Sequence, residues 1–342
     1  MPPFLRSLPG LLGFALALIP AAGAATGLDP RLPPYVAPAQ PIEGSLHSAG
    51  SDTMDVITFG WIQLFRRYCP RVHVTMEARS SLTALPALTA GAAEIGPMAR
   101  QAPDQDTQAF VAKFGYQPLV LRVGGGAFDR IEHSHSIAIF VHRSNPLSGL
   151  TLAQLDALFS STRLRGEPAD LRTWGQLGLG GAWRDAPVHL YAVRRPNGIA
   201  DAFRHIVLLG GKFKPTIRER DSRPEIRVLD AVVAAVAADS QGICFAGFHQ
   251  QTPEVKPLAI ARTAAGPWVR GALESVTDQS YPLTRFIYIA VNKPPGRPLS
   301  PPVREFLRLV LSDQGQRIIA EEGYFLPLPA PVVAEERAKL ES

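Results

Sequence analysis

The chain has 342 residues, 46% of them apolar and 19% charged, a balance that excludes intrinsic disorder over a length that suits about two domains. Lys and Arg number 35 against 30 Asp and Glu, a net charge of +5, and the cations are scattered rather than clustered, so no nucleic-acid partner is expected. Cys69 and Cys244 are too few for a disulfide scaffold, and no Cys-x-x-Cys or zinc-ligand spacing occurs.

Arg6 precedes an apolar run over residues 8–19, and small residues at Ala22 and Ala24 fit an A-x-A cleavage site. Residues 1–24 therefore read as a secretory signal peptide, too short to span a bilayer as a stable helix. No Cys follows the run to carry a lipid anchor, so the mature protein is expected to be soluble and periplasmic or secreted. Residues 25–44 are rich in proline (Pro30, Pro33, Pro34, Pro38, Pro41) and read as an extended leader. Met54, Ile57, Trp61, Leu64, Phe65 and Tyr68 then recur at helical spacing, with Ser51, Asp52 or Thr53 as cap and Pro70 as stop. Val72, Val74 and Met76 alternate as a strand. Ser80-Ser81-Leu82-Thr83 opens a second helix that Gly91 stops. Ile95-Gly96-Pro97-Met98 is a short strand ending in a loop at Ala99-Arg100. The alternation predicts an α/β fold with mostly parallel sheets. Gly124-Gly125-Gly126 reads as a flexible break. Beyond it come strands at 137–141, 188–193, 242–247 and 286–291. Helices are expected at 150–159 (capped by Thr151), around Ala202 to Ile206, and at 229–236, 303–310 and 314–320.

This order of motifs resembles the phosphate-binding proteins of bacterial ABC uptake systems, a branch of the periplasmic two-lobed binding proteins. The residues that carry it are Gly50-Ser51-Asp52-Thr53-Met54, Ser80-Ser81-Leu82-Thr83-Ala84, Glu94-Ile95-Gly96-Pro97-Met98-Ala99-Arg100, Phe140-Val141-His142 with Asn145-Pro146-Leu147, and Thr173-Trp174-Gly175-Gln176-Leu177-Gly178. Tyr281-Pro282-Leu283, Val291-Asn292-Lys293 and Leu311-Ser312-Asp313-Gln314-Gly315-Gln316 complete the series. The resemblance spans residues 45–331. It implies a type II (Venus-flytrap) fold: lobe one from 45–127 plus 280–331, lobe two from 136–275, hinge strands between them with Gly124 to Gly126 at one crossing, and a C-terminal tail at 332–342. Cys69 and Cys244 then fall on different lobes and are expected to be free, buried thiols.

The resemblance also implies no catalysis and no cofactor or metal. The expected partners are phosphate or a related oxyanion and an ABC transporter permease in the inner membrane; the protein itself is expected to be a monomer. An anion cleft needs helix N-termini, hydroxyls and arginines. The sequence offers Ser51, Asp52 and Thr53; Ser80, Ser81 and Thr83; Arg100; and Arg194, Arg195, Asn197 and Gly198. Asp52 is either a cap or the acceptor-only carboxylate that would welcome a protonated phosphate and repel sulfate. The third segment departs from the family's Arg followed by Ser-Gly-Thr: Asn197 stands for Ser and Ile199 for Thr. One lost hydrogen bond to a charged ligand costs roughly 1.5–3 kcal/mol, which Arg194 or Arg195 could offset. That departure keeps two alternatives open: another anion or a phosphorylated compound as ligand, and a secreted sensor or adhesion protein on the same scaffold. A hydrolase built on Ser51-Asp52 lacks a Gly-x-Ser-x-Gly elbow, and a metal site at His133 and His135 lacks a third ligand.

Overall fold

Trp61 explains the first layer. It lies with Ile57 and Phe65 along one face of α1 (Asp55–Tyr68), all three at most 1% exposed, and its Nε1 donates to Gly315 O at 2.9 Å. The computed structural model describes residues 27–130 and 134–341, so the segment read as a signal peptide lies outside the described residues, as does His133. Before α1 runs β1 (Gly44–Gly50). After it come β2 (Val72–Ala78), a 3-10 turn (Ser81–Thr83) leading into α2 (Ala84–Ala90), β3 (Ile95–Met98), α3 (Asp104–Phe114) and β4 (Leu119–Gly125). Gly91 ends α2 in the left-handed region at φ 77°, which only glycine adopts freely.

The chain then crosses to a second body. It holds β5 (Ile137–His142), β6 (Gly149–Thr151), α4 (Leu152–Phe159), β7 (His189–Val193), α5 (Gly198–Ile206), β8 (Arg218–Arg220) and α6 (Val228–Ala237). β9 (Gly242–Gly247), β10 (Val255–Pro257), β11 (Ala259–Ala261) and α7 (Leu273–Thr277) complete it. The chain returns as β12 (Phe286–Val291), followed by α8 (Pro301–Val310), α9 (Asp313–Glu322) and α10 (Ala330–Glu341). Thr151 caps α4 in a capping box with Gln154, as its sequence position predicts.

Two five-stranded sheets result, in the orders β2-β1-β3-β12-β4 and β10-β5-β9-β7-β8, with β6 and β11 as a small parallel pair beside the second. Both sheets are mixed rather than mostly parallel. β12 enters from the second lobe and so runs antiparallel to both its neighbours, and β5 runs antiparallel to β9 and β10. Each sheet carries its own apolar core. Val276, Tyr281 and Leu283 pack in the second core, and Tyr281 Oη donates to Ile137 O at 2.9 Å, so the return crossing falls at Thr284-Arg285. Cys69 and Cys244 are both buried and unpaired, one in each core.

Three segments differ from the sequence reading. The proline-rich stretch is a strap, not a free leader: Leu32 and Tyr35 are each 6% exposed in the first core, and the Tyr35 N–H donates to Gln314 Oε1 at 2.7 Å. The C-terminal residues form α10, which buries Val333 and Leu340 in the same core. The triple glycine serves close packing. A Cβ on Gly126 would lie 2.1 Å from Ser134 O, and one on Gly124 would lie 2.9 Å from the Ile287 side chain.

Candidate functional site

The lobes enclose a cleft of about 510 Å³, crossed on one side by both connecting segments. Lobe one contributes Thr53 before α1, Ser81 before α2, and Ala99 with Arg100 after β3. Lobe two contributes the starts of α5 and α6 together with Ser222, His249 and Gln250. The crossings contribute Ser134, His135 and Arg285. The common device is a strand that ends at the cleft and a helix that starts there, so first-turn N–H groups without helical partners face inward.

Of the residues singled out from sequence, Thr53, Ser81, Arg100, Asn197 and Gly198 meet in the cleft. The others lie elsewhere. Asp52 is exposed, and its Oδ1 accepts the Thr53 N–H at 2.9 Å. Ser51 is buried behind the wall, with its Oγ unpartnered. Ser80 caps the 3-10 turn by accepting the Leu82 N–H at 3.2 Å, and Thr83 Oγ1 donates to Ser80 O at 2.7 Å. Arg194 and Arg195 turn toward the acids around β8. Arg194 pairs with Asp221 at 2.5 Å, and Arg195 pairs with Glu219 at 2.6 Å while covering the Phe213 ring. Ile199 lines the cleft, and its N–H is taken by Asn197 Oδ1 at 3.0 Å.

Sequence reasoning missed Arg227, Arg285, His249, Ser134 and Ser222 in the lining, and it weighed His135, which lines the cleft, only as half of a metal pair. Arg285 is the most informative. It is 8% exposed, and its guanidinium has no hydrogen bond or ion pair to any described residue. Burial pulls its pKa down to about 10, which still leaves it cationic at neutral pH. Its signal in the sequence was a lone cation against the apolar strand that follows it. His135 is driven the other way from a cation: burial, then Arg285 and His249, push its pKa down to about 4, so it is neutral at physiological pH. No carboxylate is among the described residues of the lining. Three arginines and several helix starts, with no acid among the described lining residues, make a site for an anion.

Two ion pairs tie the lobes together at the cleft mouth. Arg100 bonds Asp201 on α5, and Arg204 on α5 bonds Asp104 at the start of α3 at 2.6 Å. The described conformation is therefore closed. Among the described residues no helix is long and apolar enough to cross a membrane.

Two α/β lobes closed over a cationic cleft define a two-lobed binding protein. The PBP superfamily domain model matches residues 36–314. The chain belongs to that superfamily and, within it, to the family of the phosphate-binding protein PstS: it is 39% identical to that protein of Pseudomonas aeruginosa over 335 residues, 98% of each chain. The fold is also that of PstS from Borrelia burgdorferi (TM-score 0.52, 14% identity, 84% of this chain and 99% of that one). An ABC-type phosphate transport receptor from Vibrio cholerae matches similarly (TM-score 0.51, 16% identity, 83% and 100%).

Proposed function

We propose that this protein captures inorganic phosphate in the periplasm and delivers it to an ABC transporter permease in the inner membrane. The observation that carries the reading is Arg285, a buried cation with no hydrogen-bond or ion-pair partner among the described residues, set in a lining whose described residues include no acid. A desolvated guanidinium is costly unless an anion completes its hydrogen bonds, and its planar fork fits two oxygens of a phosphate at once. The starts of α5 and α6 and the hydroxyls of Thr53 and Ser81 add neutral donors. Closure excludes water and strengthens each of these bonds. Binding and release by lobe motion require no chemistry on the ligand, in keeping with a family of binding proteins rather than enzymes.

Isothermal titration with inorganic phosphate at pH 7.5 is expected to give a Kd of about 1 µM or tighter, equivalent to about −8 kcal/mol. No heat of binding at millimolar phosphate would remove the assignment. The mouth pairs supply a second test. The double variant Asp104→Asn, Arg204→Gln keeps the net charge and removes one half-exposed pair, which is worth roughly 0.5–1 kcal/mol to the closed form. Phosphate binding should weaken about two- to fivefold, and small-angle scattering should show a larger fraction of open molecules in the free protein. Equal or tighter binding would mean that the pair does not favour closure.

A further inference from the structure

We propose that His135 selects phosphate over sulfate in this cleft, with its unprotonated Nε2 accepting the hydrogen bond of the phosphate O–H. This inference rests on the phosphate reading above and deepens it. The monohydrogen dianion carries one proton and sulfate at neutral pH carries none, so selection needs a lining atom that can accept but not donate. The acceptor-only carboxylate that could do this, Asp52, is not in the lining, and no other acid replaces it among the described residues. The hydroxyls of Thr53 and Ser81 do not discriminate, because they can turn and donate to sulfate; Ser134 Oγ gives its proton to Ala99 O and is a further acceptor in the lining. Each lining amide oxygen is already turned to the backbone and accepts one N–H there: Gln250 Oε1 from Gly247 at 2.9 Å, and Asn197 Oδ1 from Ile199 at 3.0 Å. On His249, Nδ1 is sealed from the cleft and Nε2 lies against the Gln250 amide nitrogen.

His135 remains beside Ser134. Its residue is 6% exposed and lines the cleft. Its Nδ1 lies 3.3 Å from Ser136 O, which takes the ring's single proton on that side. Nε2 has no hydrogen bond to any described residue. The ring rests on the backbone of Gly247, where a Cβ would stand 2.6 Å from Nδ1 and 2.7 Å from Cε1. Among the described residues the charged and titratable groups facing it are Arg285 on the return crossing and His249 after β9, and both oppose a second proton on the ring. A neutral imidazole therefore offers one fixed lone pair to a phosphate proton, while a sulfate oxygen at the same place would meet lone pair against lone pair.

The test is titration with sodium phosphate and sodium sulfate at pH 7.5 for three proteins: the parent chain, His135→Phe and Gly247→Ala. The parent should bind phosphate at least about 100-fold more tightly than sulfate. His135→Phe keeps a planar ring without the lone pair; phosphate affinity should fall tenfold or more while sulfate affinity holds or rises. Gly247→Ala alters no lining residue but displaces the imidazole, and should lower the same ratio less steeply. Nitrogen NMR of His135 in the phosphate complex of the parent chain, which needs no variant to fold, should show one ring proton. A doubly protonated ring, equal parent affinities for the two anions, or an unchanged ratio in both variants would each overturn the proposal. Absence of phosphate binding by the parent chain would instead overturn the function proposed above.

Discussion

Replacing Arg285 by methionine is expected to weaken phosphate binding at least about 100-fold while leaving the free protein as heat-stable as before, or more so. The two halves of this result have one cause. In the free protein Arg285 is 8% exposed and its guanidinium has no hydrogen bond to any described residue, so its desolvation is poorly compensated and an apolar chain of similar length removes the cost. In the phosphate complex proposed above the same group would make two charge-assisted bonds of roughly 1.5–3 kcal/mol each, and their loss would be worth about two to four decades of affinity. Titration calorimetry and a thermal melt of the free protein measure the two halves separately. A melting point more than about 5 °C lower, or affinity within tenfold of the parent, would make Arg285 a structural residue. Arg285→Lys should recover part of the binding, since it restores the charge but not the planar fork.

Glu336→Ala should cost about 3–5 kcal/mol of stability, lowering Tm by roughly 4–7 °C, with no change in the cleft. The Glu336 carboxylate is fully buried. Its Oε1 receives the Arg122 guanidinium, its Oε2 accepts the Arg122 N–H at 3.2 Å, and both oxygens accept from Lys339 at 2.9 Å. Removing the acid leaves the part-buried Arg122 with only Glu335, which is 60% exposed, and frees α10 from the edge strand β4. Thermal unfolding monitored by circular dichroism checks this. A loss under 1 kcal/mol would show that α10 is held by Val333, Leu340 and its remaining bonds, such as Arg337 to Leu311 O at 3.0 Å, rather than by Glu336.

How far the sequence could be read depended on whether a residue's partners lie nearby in the chain. The α1 face of Ile57, Trp61 and Phe65 and the cap at Thr151 are local patterns, and they appear in the structure where the periodicity puts them. The helix starts at Thr53, Ser81, Asn197 and Gly198 reach the cleft for the same reason. Helix α3 escaped notice because Phe110 is its one fully buried side chain, too little for an apolar stripe. Arg194 and Arg195 were weighed as ligands because of the family's motif, but Glu219 and Asp221 in and beside β8 claim them, and no spacing rule links those positions. His135, Arg227, His249 and Arg285 come from the crossings and the starts of lobe-two elements, which only the tertiary fold brings together. Leu32 and Tyr35 were hidden by the prolines around them, since composition describes stiffness and not what two apolar anchors will find.

The position of β12 bears on how the chain reaches this state. It fills the gap between β3 and β4, pairing Tyr288 with Met98 on one side and Arg122 on the other. The whole of lobe two is written between β4 and β12, so that lobe can mature as a continuous unit while lobe one waits. In the interval β3 and β4 each present an open edge, and both are apolar. Such edges recruit strands from other chains, and long-range pairing of this kind is slow. The most aggregation-prone species of this protein is therefore one with lobe two folded and the central strand of lobe one absent, and whatever keeps newly made chains apart must act until residue 291 has arrived.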